Sequence, residues 1–193
     1  FPDEEKTTLR ITSGSSRFTL MIRYPGWMSK GSIKITVNDK PVRINTLPSS
    51  YIAINRNWRK GDVVMISLPM TTRIEHMPNV PEYIAFMRGP VLLGAKTGTE
   101  DLKGLLAGDS RWGHIASGKI LPVNQAPVIV EDHQEDIPSK LEKLNSQPFA
   151  FNTGKLRLVN SGQLKLEPFY KIHDSRYMIY WMSLSGRGYS SYL

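Results

Sequence analysis

The strict alternation of apolar and polar side chains in its first half is what most constrains this chain. In Arg17-Phe18-Thr19-Leu20-Met21-Ile22-Arg23-Tyr24, Phe18, Leu20, Ile22 and Tyr24 fall on one side of an extended backbone, and Arg17, Thr19 and Arg23 on the other. Successive strand side chains point to opposite faces, so a period of two specifies a half-buried antiparallel sheet and not a helix. Thr8–Thr12 repeats the pattern with Leu9 and Ile11 inward, and Ile33–Val37 with Ile33, Ile35 and Val37 inward. No amphipathic segment is long enough to carry a helical domain, and no apolar run approaches the ~20 residues of a membrane-spanning helix.

Turn chemistry agrees with the alternation. Asn38-Asp39-Lys40-Pro41 offers a tight turn after which Val42 and Ile44 return antiparallel. Tyr51–Asn55, the loop Arg56–Asp62 and Val63–Leu68 read as a longer hairpin, with Gly61 supplying positive φ near its end. Pro69 stops the second strand, because proline has no N–H to give an interior ladder. Further strands are expected at 73–76, 83–87, 91–94, 119–123, 128–131, 156–159, 164–166 and 177–182. Ser139 and Glu142 have capping-box spacing, with Ile137 and Leu141 as a staple, so a short helical turn is expected there.

These elements predict an all-β protein, an antiparallel, jelly-roll-like β-sandwich with little helix. Two consecutive sandwich units are expected, at 1–95 and 119–193. A glycine-rich linker or excursion at 96–118 separates them; the alternative is one sandwich with a long insertion. The length, 193 residues, suits either one large domain or two small ones.

Composition narrows the chemistry. There is no cysteine, which removes thiol nucleophiles, thiolate metal sites and disulfides together. The four histidines (His76, His114, His133 and His173) form no His-x-Glu or His-Glu-x-x-His pattern, and neither Gly-x-Ser-x-Gly nor a phosphate loop occurs. The remaining carboxylates include Glu75, Glu82, the run Glu131–Asp136 and Asp174. The run lacks the alternation that positions calcium ligands and reads as a solvated loop. No catalytic residue, metal site or cofactor is expected.

Basic residues outnumber acidic ones 25 to 17, and residues 1–75 hold twelve of the former and six of the latter. Arg59-Lys60 is the one adjacent basic pair, so the charge reads as a scattered solvated face. Neither a nucleic acid nor a membrane partner is expected; a polyanion-binding role for residues 1–75 is the weaker alternative.

Two aromatic placements stand out. Trp27 ends a strand in the turn Tyr24-Pro25-Gly26-Trp27, and Trp58 falls in the expected hairpin loop. Loop tryptophans either stack on sugar faces or cap a sandwich core from its ends. The segment Pro168–Trp181 is the densest in large and charged side chains. Its His173, Asp174, Arg176 and Tyr177 form either a sugar-binding corner or a charge-assisted cluster anchoring a strand or an interdomain contact. From Arg176 onward the strand is expected to be covered on both faces.

Seven stretches in order carry a family resemblance. They are Phe1-Pro2-Asp3-Glu4-Glu5, Ile22–Trp27, Val37-Asn38-Asp39-Lys40, Trp58-Arg59-Lys60-Gly61-Asp62-Val63-Val64, Leu68-Pro69-Met70, Met87-Arg88-Gly89-Pro90-Val91 and Pro168–Trp181. Together they resemble the region after the catalytic barrel in glycoside hydrolase families 127 and 146, the last stretch being similar to Bacteroidetes members. The resemblance covers 1–94 and 165–182 and, thinly, what lies between.

Those families have an (α/α)6 barrel that cleaves β-L-arabinofuranosides through a cysteine nucleophile on a zinc site of cysteines and a glutamate, followed by β-sandwich domains. With no cysteine here, none of those catalytic residues carries over. The resemblance implies an accessory, non-catalytic portion of an arabinofuranosidase-like parent, with the parent's own barrel as intramolecular partner. It also implies a periplasmic or secreted location. The alternative is a carbohydrate-binding module whose loop aromatics meet a plant-type polysaccharide. A start at Phe1-Pro2, without an initiator Met, reads as a piece of a longer protein.

Overall fold

A computed structural model describes residues 1–100, 102, 125–145 and 147–192. They form two compact units, Phe1–Thr71 and Thr72–Leu193.

Unit 1 contains β1 (Lys6–Arg10), β2 (Ser15–Tyr24), β3 (Lys34–Val37), β4 (Lys40–Pro41), β5 (Ser50–Arg59) and β6 (Val63–Ser67). One sheet runs β1-β6-β3-β4; the other is the ten-residue antiparallel ribbon β2-β5, in register from Ser15↔Arg59 to Tyr24↔Ser50. The alternating apolar residues meet between them. Ile22, Tyr24, Ile52, Ile54 and Trp58 from the ribbon pack with Ile35, Val37, Val64 and Ile66 from the larger sheet in one buried cluster. Unit 1 is therefore a two-sheet sandwich closed by period-two burial.

Two expectations are corrected here. Tyr51–Asn55 and Val63–Leu68 are not a hairpin, since β5 pairs with β2 while β6 pairs with β1 and β3. Lys60-Gly61-Asp62 is a corner between the sheets. Gly61, at φ 94°, turns the chain so that Gly61 N–H donates to Ile11 O at 2.8 Å and Ile11 N–H donates to Asp62 O at 2.9 Å. Alternation reports which face a residue takes but not which neighbour its strand chooses. Leu9, read as inward, is 41% exposed because β1 is an edge strand.

The Asn38-Asp39 turn forms as expected. Both residues take left-handed backbone (φ 50° and 64°), and β3 returns as β4 with Val37 opposite Lys40. Asn and Asp tolerate that region better than other side chains.

Unit 2 is built on one ten-stranded sheet, ordered β11-β12-β14-β9-β8-β16-β10-β13, with β7 on β8 and β15 on β9. Its strands are β7 (Thr72–Met77), β8 (Val80–Arg88), β9 (Val91–Gly98), β10 (Val128–Val130), β11 (Glu142–Lys143), β12 (Phe151–Asn152), β13 (Leu158–Val159), β14 (Lys165–Pro168), β15 (Arg176–Met178) and β16 (Trp181–Leu184). All pairs are antiparallel except β10 with β16. Ile84, Phe86, Leu93, Ile129, Leu166 and Trp181 are fully buried, and Phe86 meets Trp181 edge-on at 5.7 Å. The all-β class expected from the sequence is the observed one.

The units meet at residue 71/72, ahead of the 96–118 segment. β7–β9 belong to the second sheet because β8 and β9 supply the central positions on which β14, β15 and β16 pair. Within 96–118, β9 runs on to Gly98; the remainder beyond residue 100, except 102, and the strand expected at 119–123 lie outside the described residues.

Helical content also differs in place. A 3-10 segment spans Gln134–Lys140 with Ile137 buried, and Glu142 already begins β11, so the Ser139–Glu142 capping box does not form. Ser139 Oγ instead donates to Asp136 O at 2.7 Å. The short helix α1 (Gly186–Tyr192) follows β16.

Candidate functional site

In unit 1 two of the stretches singled out by resemblance, Val37–Lys40 and Trp58–Val64, meet at the corner between its sheets. Asn38 Nδ2 donates to Asp62 Oδ1 at 2.7 Å, and Val63 N–H donates back to Asn38 Oδ1 at 2.8 Å. Arg59 N–H donates to Asp62 Oδ2 at 2.9 Å, and Arg56 Nη2 lies 3.5 Å from the same oxygen. The Asn38 hydrogen bond first, then the Arg59 N–H and the nearby arginines, hold the Asp62 carboxyl below the usual carboxylate range. Asn38 thus joins two turns 24 residues apart in sequence, while Asp62 Oδ2 braces its own turn.

Trp58 belongs to β5 and not to a loop, and it is fully buried. Its ring is flanked by Phe18, 5.7 Å between centroids, and by the Arg56 guanidinium at 5.1 Å, while its N–H donates to Phe18 O at 3.1 Å. Fully buried and with its N–H engaged, it is a core side chain and offers no sugar platform. Its alternation with Ile52 and Ile54 is the signal that places it inward.

Trp27 is half-buried and packs on the same core. The loop carrying it is pinned by buried Tyr24, whose hydroxyl donates to Ser29 O at 2.8 Å and accepts from Gly31 N–H at 2.7 Å.

In unit 2 the segment 168–181 divides into a 3-10 turn at Phe169–Lys171, β15, and β16. His173 and Asp174 are exposed, and Asp174 takes left-handed backbone (φ 51°). No hydrogen bond or ion pair joins His173 to Asp174 among the described residues. Arg176 Nε donates to Glu100 O at 2.8 Å, and Ser175 Oγ donates to Gly98 O at 2.9 Å, so these two staple β15 to the end of β9. Tyr177 is 52% exposed with its ring against Phe169 at 4.8 Å. The expected strand covered on both faces is absent: Tyr177 and Tyr180 both reach solvent, because the chain leaves β9 after Met178 and joins β8 only at Trp181.

One charged group escaped the sequence reading. Glu167 on β14, its side chain 14% exposed, has Lys96 Nζ 3.1 Å from Oε1 and Lys165 Nζ 3.3 Å from Oε2. Burial pushes its carboxyl up, but the two lysines outweigh this and hold it below the ordinary range. Lys165-x-Glu167 shows on the sequence as a same-face pair; Lys96, 71 positions away, does not.

The acidic run is likewise tied down. Glu131 pairs with Lys140, His133 Nδ1 lies 3.5 Å from Glu135, and Asp132 Oδ1 accepts from Gly186 N–H at 2.8 Å. Among the described residues no group of three or more His, Asp or Glu is placed to hold a metal ion.

Comparison with known proteins follows this division of the chain. Residues 1–70 match the family described as Beta-L-arabinofuranosidase, GH127 middle domain. Three solved structures share the fold over 95% of the chain. One is a glycoside hydrolase (TM-score 0.60, 18% identity), one a GH127 β-arabinofuranosidase (0.56, 18%), and one a GH127 β-L-arabinofuranosidase from Geobacillus stearothermophilus T6 (0.57, 15%). The chain spans 31%, 30% and 29% of those chains, about a third of their length. No curated protein matches it. Fold and comparisons together define the class, an all-β chain that shares its fold with glycoside hydrolases and whose residues 1–70 match the GH127 middle domain. Within that class the chain belongs, through residues 73–183 and thus more than half its length, to the DUF4986 family, described as a domain of unknown function.

Proposed function

We propose that this chain is the non-catalytic β region of a GH127-like, β-L-arabinofuranosidase-type parent, and that it supports an (α/α)6 catalytic barrel by packing on it. The observation that carries this reading is the Asn38–Asp62 lock. Both side chains are engaged in closing a sandwich corner: Asn38 donates to Asp62 and accepts from Val63 N–H, and Asp62 also accepts from Arg59 N–H. Trp58, the aromatic nearest that corner, is buried in the same way. Such a region contributes rigidity and surface to its neighbour rather than reacting groups. A periplasmic or secreted location belongs to the same reading.

The test uses the 193-residue chain and its parent. The isolated chain should release nothing above background from a chromogenic β-L-arabinofuranoside. In the parent, Asn38→Ala should lower the thermal stability while kcat per folded molecule stays unchanged. Turnover by the isolated chain overturns the proposal, as does a parent whose kcat collapses with its stability intact.

A further inference from the structure

Unit 1 holds eleven basic and five acidic side chains, and the ribbon β2-β5 carries four arginines and no acid at all. Its inner face is the sandwich core. By the same alternation its outer face presents Arg17, Thr19, Met21 and Arg23 from β2 beside Tyr51 and Asn55 from β5. Met21 is 53% and Tyr51 51% exposed, large apolar groups held open at the middle and one end of an otherwise polar face.

This face is ordered. Arg23 lies over the Tyr51 ring, 5.1 Å from its centroid. Arg17 Nε donates to Asn55 Oδ1 at 3.1 Å, and Asn55 Nδ2 donates to Thr19 Oγ1 at 2.9 Å. These contacts hold long side chains in one arrangement before any partner arrives, which lowers the entropy lost on binding. Arg17 and Arg23 are six strand residues apart, about 20 Å along the ribbon. Among the described residues neither forms an ion pair, and the terminal nitrogens of both guanidinium groups are open to anions.

We propose that the outer face of β2-β5 is a binding track for an anionic polysaccharide of the polyuronate class. Arg17 and Arg23 receive carboxylates, Tyr51 and Met21 pack against the apolar faces of sugar rings, and Asn55 and Thr19 meet hydroxyls. Guanidinium groups recognise carboxylates through paired N–H donors, and a tyrosine ring joins an apolar face to a polar tip, as sugars require. A nucleic acid fits less well, because such binders use clustered cations along a groove together with several stacking rings. The proposal rests on unit 1 alone and stands or falls separately from the barrel-supporting role.

The experiment is affinity electrophoresis of the 193-residue chain in gels containing polygalacturonate, neutral arabinan, or duplex DNA. Polygalacturonate should retard the chain, arabinan should not, and retardation should weaken as salt is raised. Arg23→Ala and Tyr51→Ala should each weaken it about tenfold, whereas Lys6→Ala on β1 should leave it unchanged. Both sites are exposed, and circular dichroism confirms that the variants stay folded. No retardation by polygalacturonate overturns the proposal. So does retardation that ignores both substitutions, or equal retention on DNA that does not depend on Tyr51, since diffuse charge alone explains either.

Discussion

Replacing Glu167 by Gln tests the electrostatic reasoning most directly. Gly94 stands opposite Glu167 in the β9–β14 register, which brings Lys96 and Lys165 across from one another on the same face. Like charges facing across strands destabilise a sheet, and the Glu167 carboxylate offsets this by sitting within 3.1 Å of one ammonium and 3.3 Å of the other. The lysines are half-exposed, 51% and 44%, so each contact lies near the surface-pair range of 0.2–1 kcal/mol. The carboxylate is mostly buried and moves them toward the charge-assisted range of roughly 1.5–3.

Glutamine keeps the shape, removes both attractions and leaves the lysines facing each other, at an expected cost of about 1–2 kcal/mol. For a unit of this size that lowers the melting temperature by roughly 3–7 °C. Because the folded carboxyl titrates below its ordinary value, its contribution is complete above that value and is lost as pH falls through the folded pKa. Calorimetry at pH 7 should therefore separate wild type from Glu167→Gln, and the gap should close in acid. The two units can melt apart, and the change belongs to the transition of unit 2. An unchanged melting temperature at pH 7, or a gap as wide at pH 3, refutes the argument.

The remaining predictions concern single contacts. Asn38→Ala should destabilise unit 1 through lost hydrogen bonds and a left-handed backbone that costs alanine about 1–2 kcal/mol; Asn38→Gly, which relieves only the backbone, should recover part of the loss in chemical denaturation. The depressed Asp62 carboxyl adds stability above the ordinary carboxylate range that fades as pH falls below it, so acid titration of unit 1 should show a wild-type decline that Asp62→Asn lacks. Gly94→Ala places a Cβ 3.0 Å from Ile172 Cδ1 and Ile179 Cγ2 and 3.3 Å from Met178 O; overpacking against backbone should cost about 1–3 kcal/mol, read as a lower denaturation midpoint. Tyr24→Phe removes the hydroxyl that Gly31 N–H donates to, while Ser29 O keeps Ser32 as its donor, for a loss of about 1 kcal/mol, and hydrogen exchange should quicken at Gly31.

Much of the fold is legible in the linear pattern, for a local reason. Whether Ile22, Tyr24, Ile35 or Val37 faces inward follows from the pleat, which depends only on neighbouring residues, and the Asn38-Asp39 turn follows from side chains that tolerate left-handed backbone. Strand choice of partner is not local. β5 and β6, separated by Lys60–Asp62, part company because β1 and β2 arrive from earlier in the chain to claim them. The same limit governs the candidate residues. Trp58 stands out by type, but only the closed sandwich shows that it is buried beside Phe18 and Arg56. His173 and Asp174, adjacent in sequence beside Arg176, make no cluster, because the bend at Asp174 leaves both in solvent while Arg176 turns to the end of β9. Composition and alternation thus determined an all-β chain without thiol chemistry; which charges meet, which aromatics are spent and which face stays open were decided by contacts between residues tens of positions apart, whose energies exist only once the sheets have formed.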